Sequence, residues 1–180
     1  PKNIPDLTYR DFTEFHRKHY HPSNSRLFLY GDGDTQSYLE FLQEKYLKDF
    51  GLMEINTSIA HQRSFRKPKR KPMVYPVSSD ESLEKKTYVL VGYKLDRAIN
   101  HEHCLGFSIL SHLLLGSSAS PLRKALITSE LGSEVIGGGF DDNRADTMFA
   151  VGLKGTEPEH EKKVLALIDS TLRELVEKGI

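Results

Sequence analysis

The sequence has little of what usually announces a chemistry. Its single cysteine, Cys104, rules out a disulfide framework and suits a reducing compartment. It carries no net charge, with 25 Lys+Arg balanced by 25 Asp+Glu. A general nucleic-acid or anionic-membrane binder is expected to show a basic excess, so neither nucleic acid nor membrane is expected as a partner. The richest apolar run, Cys104 to Leu115, falls well short of the roughly 20 residues that cross a bilayer. There is no internal repeat and no low-complexity tract. Nor is there an initiator methionine, a signal peptide or a transit peptide. The chain opens on PKNIPDLT and closes on VEKGI, and we expect it to be a piece of a longer protein, so missing targeting signals leave its location open. Its 180 residues, 38% hydrophobic and 28% charged, suit one globular domain.

What is present centres on residues 99–142. From Cys104 to Leu115 apolar side chains fall on nearly every side: Leu105, Phe107, Ile109, Leu110, Leu113, Leu114 and Leu115. A helix apolar all round is expected to be buried all round. Gly116-Ser117-Ser118 ends it. Ser120-Pro121 then opens a second helix, with Ser as N-cap and Pro at the first position, carrying Leu122, Ala125 and Leu126 and stopping at Leu131-Gly132. Gly137-Gly138-Gly139 follows as a glycine-rich exit, read as a flexible entry to a strand rather than a backbone nest.

The remaining elements are expected to cover this centre. Thr8 reads as an N-cap with Asp11 in the capping-box place, starting a helix to about Tyr20 that buries Phe12, Phe15 and His19. Arg26–Tyr30 reads as a short strand after the turn at His21–Asn24. Asp34 or Thr35 caps a helix presenting Tyr38, Leu39, Leu42, Tyr46 and Leu47. Residues 51–72 form a polar connector ending in the basic run 66–71. Met73–Val77 reads as an edge strand, where Pro76 is tolerated. Thr87–Leu95 is the strongest strand signal. In Thr147–Leu153, Met148, Ala150 and Gly152 alternate against Phe149, Val151 and Leu153. Thr156 and Glu159 are placed as a capping box for a last helix that buries Val164, Ile168, Leu172 and Leu175 and ends at Gly179. The expected fold class is α+β: a mostly antiparallel sheet with helices packed on one face, one domain over residues 1–180 with its connector at about 51–72.

No stretch makes a complete active site. Zinc peptidases of the His-Glu-x-x-His type, or its inverse His-x-x-Glu-His, grip the metal with two imidazoles one helical turn apart and use the Glu as general base. His101-Glu102-His103 has the letters, but position 105 is Leu105 and position 99 is Ile99. Glu159-His160 fails because position 156 is Thr156. His16, His19 and His21 lie close in sequence, and cations complementing the helix dipole account for them. Asp32-Gly33-Asp34 starts like a calcium loop but meets Gln43 where the bidentate Glu belongs. Ser117, Ser118 and Ser120 lack the Gly-Lys-Ser/Thr of a phosphate loop. The run 66–71 has only Phe65 as a stacking aromatic, and Asp80, Glu81 and Glu84 follow it. Expected site residues are therefore none: catalytic none, metal none, cofactor-binding none.

Three stretches together resemble a known family. LTYRDFTEFHRKHYHPSNSRLFLYGD is similar to the opening of the second, non-zinc domain segment of pitrilysin/insulinase-type peptidases. LLLGSSASPLRKALITSELGSEVIGGGFDD resembles that segment's central helix, Gly-Ser corner and second helix. FAVGLKG and the closing LVEKGI resemble its later strand and helix. The likeness is greatest to the presequence protease branch, which includes falcilysin-like enzymes. It implies an antiparallel sheet with helices and a parent zinc metalloendopeptidase that degrades unfolded peptides, such as cleaved presequences, in a chamber made of two halves. In that family zinc is held by His-x-x-Glu-His and a later Glu in the first domain, so zinc is implied for the parent and none for this piece. The implied partners are the zinc-bearing domain, the C-terminal half of the same chain and the unfolded peptide. The implied location is a mitochondrion or a plastid, including the apicoplast. Two alternatives remain: an inactive structural paralogue of the same superfamily, or a binding module using the basic run 66–71.

Overall fold

The computed structural model describes residues 3–179 and forms two compact units, 1–59 and 60–180. Each is described by itself.

In the first unit, α1 spans Tyr9–His19. Thr8 accepts the Asp11 N–H at 3.1 Å, and the Asp11 carboxylate takes the Thr8 N–H at 3.1 Å. This capping box satisfies two donors that a helix start leaves open. Helix α2 (Thr35–Leu42) starts at Asp34, whose carboxylate accepts the N–H groups of Gln36 and Ser37, and runs into a π turn over Gln43–Leu47. Two expectations are corrected. Phe12 and Phe15 are exposed and His19 is half-buried, where the sequence predicts burial of all three, because nothing among the described residues of this unit covers that face of α1. Arg26–Tyr30 is extended but is no strand. A strand needs a neighbour to take its backbone groups, and the described part of this unit offers no ladder.

The second unit holds a three-stranded antiparallel sheet in the order β1-β3-β2, with β1 at Thr87–Arg97, β2 at Glu134–Asp141 and β3 at Asp146–Thr156. Helices α3 (His101–Leu115), α4 (Pro121–Thr128) and α5 (Glu161–Lys178) complete it. The fold is α+β, as expected. The alternation read in β3 is the one observed. Val151 and Leu153 pair with Val91 and Val89 and pack toward the helices, where Leu122, Leu126, Val164 and Ile168 are wholly buried. Each of these apolar side chains contributes about 1.5–3 kcal/mol by leaving water. The opposite face shows Tyr88 and Leu90, both 56% exposed.

Four expectations fail here. Helix α3 is not buried all round: Leu114 and Leu115 are buried, whereas Leu105 is 64% and Ile109 55% exposed. Its main contacts within the unit are with β2 and α4. Residues 73–77 form no strand; the Tyr75 hydroxyl donates to the Lys86 carbonyl and its ring meets Tyr88 edge-on at 5.6 Å, so side chains tie the segment down in place of a ladder. The Gly137–Gly139 run lies inside a strand rather than before one, as a bulge between Ile136 and Gly139. The Thr156–Glu159 capping box does not form. Pro158 starts a 3-10 turn over Pro158–His160 that delays α5 to Glu161, which leaves Thr156 outside the helix start.

Candidate functional site

A cleft of the second unit lies where α3 ends, α4 begins and β2 bulges. It encloses about 330 Å³ and is lined by Ser111, His112, Arg123, Val135 and Gly138, among others. Arg123 donates from Nη1 to the Leu115 carbonyl at 3.2 Å, covering one of the acceptors that a helix C-terminus leaves open. Ser120 occupies the N-cap position of α4, but its hydroxyl accepts the Ser117 N–H at 3.1 Å and makes no bond to its own helix. The Gly-Ser corner is thus a closed turn that forms one rim of the cleft.

The other rim is β2. Gly137, Gly138 and Gly139 have φ of 108°, 72° and 79°, a left-handed run that side chains resist. A Cβ at Gly139 would meet the Ser111 hydroxyl on α3, and one at Gly137 would lie 2.5 Å from the Ala150 carbonyl oxygen. The Ser111 hydroxyl in turn accepts the Phe140 N–H at 3.0 Å. Missing side chains therefore let β2 approach α3 closely while its outer edge has no neighbouring strand among the described residues. A sheet edge presents backbone donors and acceptors to any extended chain.

The histidines disperse. His16 stacks on Tyr20 at 4.7 Å, His19 meets Phe15 at 4.6 Å, and His21 Nδ1 accepts the Ser23 N–H. His103 Nδ1 pairs with the Asp96 carboxylate, which also takes the Asn100 amide at 2.8 Å. The Arg97 N–H, His103 and Asn100 hold the Asp96 carboxyl below its ordinary range. Cys104 Sγ donates to the Ala98 carbonyl. His61 lies 3.3 Å and Lys94 3.2 Å from the Asp146 carboxylate, which also accepts the Gln62 N–H at 2.7 Å. The Gln62 N–H and these side chains keep the Asp146 carboxyl low. Asp34 serves as a helix cap. Among the described residues no three His, Cys, Asp or Glu side chains converge as a metal would require. In the basic run, Arg70 makes a two-point bond to Glu161 at 2.6 and 2.8 Å, and Lys69 sits 4.9 Å above the Phe65 ring.

Sequence reasoning named the Gly-Ser corner and the triple glycine but missed that they face each other, and it missed β2 and Arg123. The signal for β2 was Val135-Ile136 before the glycines and Phe140 after them, a pattern the glycines interrupt. No described helix is long and apolar enough to cross a membrane.

The family model described as the peptidase M16 inactive domain matches residues 6–180. Protein HypA of Clostridium perfringens is 42% identical over 180 residues, covering all of this chain and 18% of that protein. Presequence protease 1, chloroplastic/mitochondrial, of Arabidopsis thaliana is 41% identical over 182 residues, covering 99% of this chain and 17% of that protein. The mitochondrial presequence protease of Mus musculus is 34% identical over 181 residues, with 99% and 18% covered. The chain thus spans less than a fifth of the length of these relatives. On the match across nearly its whole length and these identities, the chain belongs to the peptidase M16 inactive-domain family, in its presequence protease branch.

Proposed function

We propose that residues 1–180 are one non-catalytic domain of a zinc metalloendopeptidase, and that this domain walls a chamber in which unfolded peptides such as cleaved presequences are degraded. Its partners are the zinc-bearing domain and the C-terminal half of the same chain. The carrying observation is β2, an edge strand opened by three glycines beside a cleft of about 330 Å³. An extended peptide can add to such an edge through main-chain hydrogen bonds, which hold any sequence alike. Folded proteins present few free extended segments, so the same geometry favours flexible chains. Zinc and its activated water belong to the rest of the parent, and no step of that chemistry runs through residues of this chain.

The names of the two presequence proteases support a parent in a mitochondrion or plastid; the Clostridium relative supports a bacterial parent as the second reading. An inactive structural paralogue is the functional alternative, and an intact His-x-x-Glu-His upstream of Pro1 in the parent decides against it. A binding module built on residues 66–71 has less support, because Arg70 and Lys69 already have partners within the chain.

Two measurements test the proposal. The isolated chain is expected to bind no stoichiometric zinc and to cleave no peptide; zinc with turnover overturns it. A photo-crosslinker in place of Glu134 in the parent enzyme is expected to capture an unfolded presequence-like peptide. Capture that is no greater than from an exposed control position on α5 overturns the assignment of the β2 edge.

A further inference from the structure

A second, smaller cavity of about 120 Å³ lies at the far end of the sheet, lined by Lys85, Glu130, Ser133, Thr156, Glu157 and His160, among others. Two of these residues carry a polar atom that is buried and makes no hydrogen bond among the described residues, Thr156 Oγ1 and His160 Nδ1. Thr156 is only 1% exposed. A buried hydroxyl or imidazole nitrogen left unpaired costs about 1–3 kcal/mol, and two in one small space are rarely tolerated.

The surroundings show why neither finds a partner in the chain. Pro158 begins its turn too early for Thr156 to cap α5. The Lys154 carbonyl is already taken twice by Ser133, from its N–H at 2.9 Å and its hydroxyl at 3.3 Å. The Glu157 carboxylate accepts the Lys85 N–H at 2.7 Å. Chain segments converge here in left-handed conformations, Lys85 at φ 54°, Glu130 at 55° and Gly155 at 66°. The space has room for water, and a bound water needs 2–4 polar partners.

We propose that this cavity is a structural hydration site, in which ordered water bridges Thr156 Oγ1 and His160 Nδ1 and so ties the end of β3 to the turn that starts α5. It is independent of the peptide-binding reading.

The test uses the full-length parent enzyme. A crystal structure at high resolution is expected to show water within hydrogen-bond distance of both atoms. Thr156→Val, which keeps the shape and removes the hydroxyl, is expected to speed amide exchange in the first turn of α5 by about tenfold, and Thr156→Ser to restore most of the protection. Thr156→Val and His160→Phe are expected to be non-additive, because each removes the same bridge. A dry cavity predicts the opposite sign: Val then replaces an unpaired hydroxyl and leaves exchange unchanged or slower. That result, or density for an ion or organic molecule in place of water, overturns the proposal.

Discussion

Gly138 and Gly139 are adjacent and both left-handed, with φ of 72° and 79°, yet the structure separates them sharply. A Cβ at Gly138 would have nothing within 4 Å. Gly138→Ala therefore meets only the backbone penalty of an L-residue in that region, about 1–2 kcal/mol, partly offset by a stiffer unfolded chain. At Gly139 the new carbon would strike the Ser111 hydroxyl. Ser111 must turn away, and the Phe140 N–H it now satisfies at 3.0 Å loses its acceptor, adding about 1–3 kcal/mol. Gly138→Ala is thus expected to cost about 1 kcal/mol and Gly139→Ala about 2–4 kcal/mol. Native-state hydrogen exchange across the β2–β3 ladder reads this locally, at about tenfold per 1.4 kcal/mol. Adding Ser111→Ala to Gly139→Ala is expected to cost less than the sum of the two, since the hydroxyl is both obstacle and acceptor. Equal losses at the two glycines, or strict additivity with Ser111, would refute the close approach of β2 to α3 on which the cleft depends.

Ile168→Ala removes a wholly buried side chain of α5 and is expected to destabilise by about 2–5 kcal/mol in chemical denaturation; Leu165→Ala, one turn away and 38% exposed, is expected to cost far less. Asp96 titrates below its ordinary value of 3.8 in the folded chain, so its contribution is complete above that value and disappears as pH falls through the lower folded one. Asp96→Asn should therefore flatten the pH dependence of stability below 3.8, and an unchanged acid profile counts against the bonds that the Arg97 N–H, His103 and Asn100 make to Asp96. Arg70→Ala frees the basic run from Glu161 and is expected to speed limited proteolysis between residues 60 and 77, while Arg66→Ala leaves the rate alone.

Elements with a local cause were legible in the sequence. Thr8 with Asp11 caps its helix as read, and of the two caps offered for the next helix, Asp34 and Thr35, it is Asp34 that serves, because a cap needs only the next three residues. The alternation of Phe149, Val151 and Leu153 against Met148, Ala150 and Gly152 placed β3, because side chains on a strand point to opposite faces in turn. Elements whose cause lies elsewhere in the chain were misread. Arg26–Tyr30 has strand residues and no strand, since pairing is supplied by a partner. Thr156 and Glu159 have capping-box spacing and no box, since Pro158 favours a different turn.

Helix α3 shows what periodicity can carry and what it cannot. Its apolar residues report how much surface the helix can bury, and its neighbours decide how much it does. Leu114 and Leu115 lie against β2 and α4 and are buried; Leu105 and Ile109, on the same helix and equally apolar, are more than half exposed. The candidate site follows the same logic in reverse. Glycine contributes no side chain to any pattern, so Gly137–Gly139 erased β2 from the sequence reading. Yet the missing Cβ atoms are what let the strand reach Ser111 and open the cleft. The feature that hid the site from the sequence is therefore the feature that makes it.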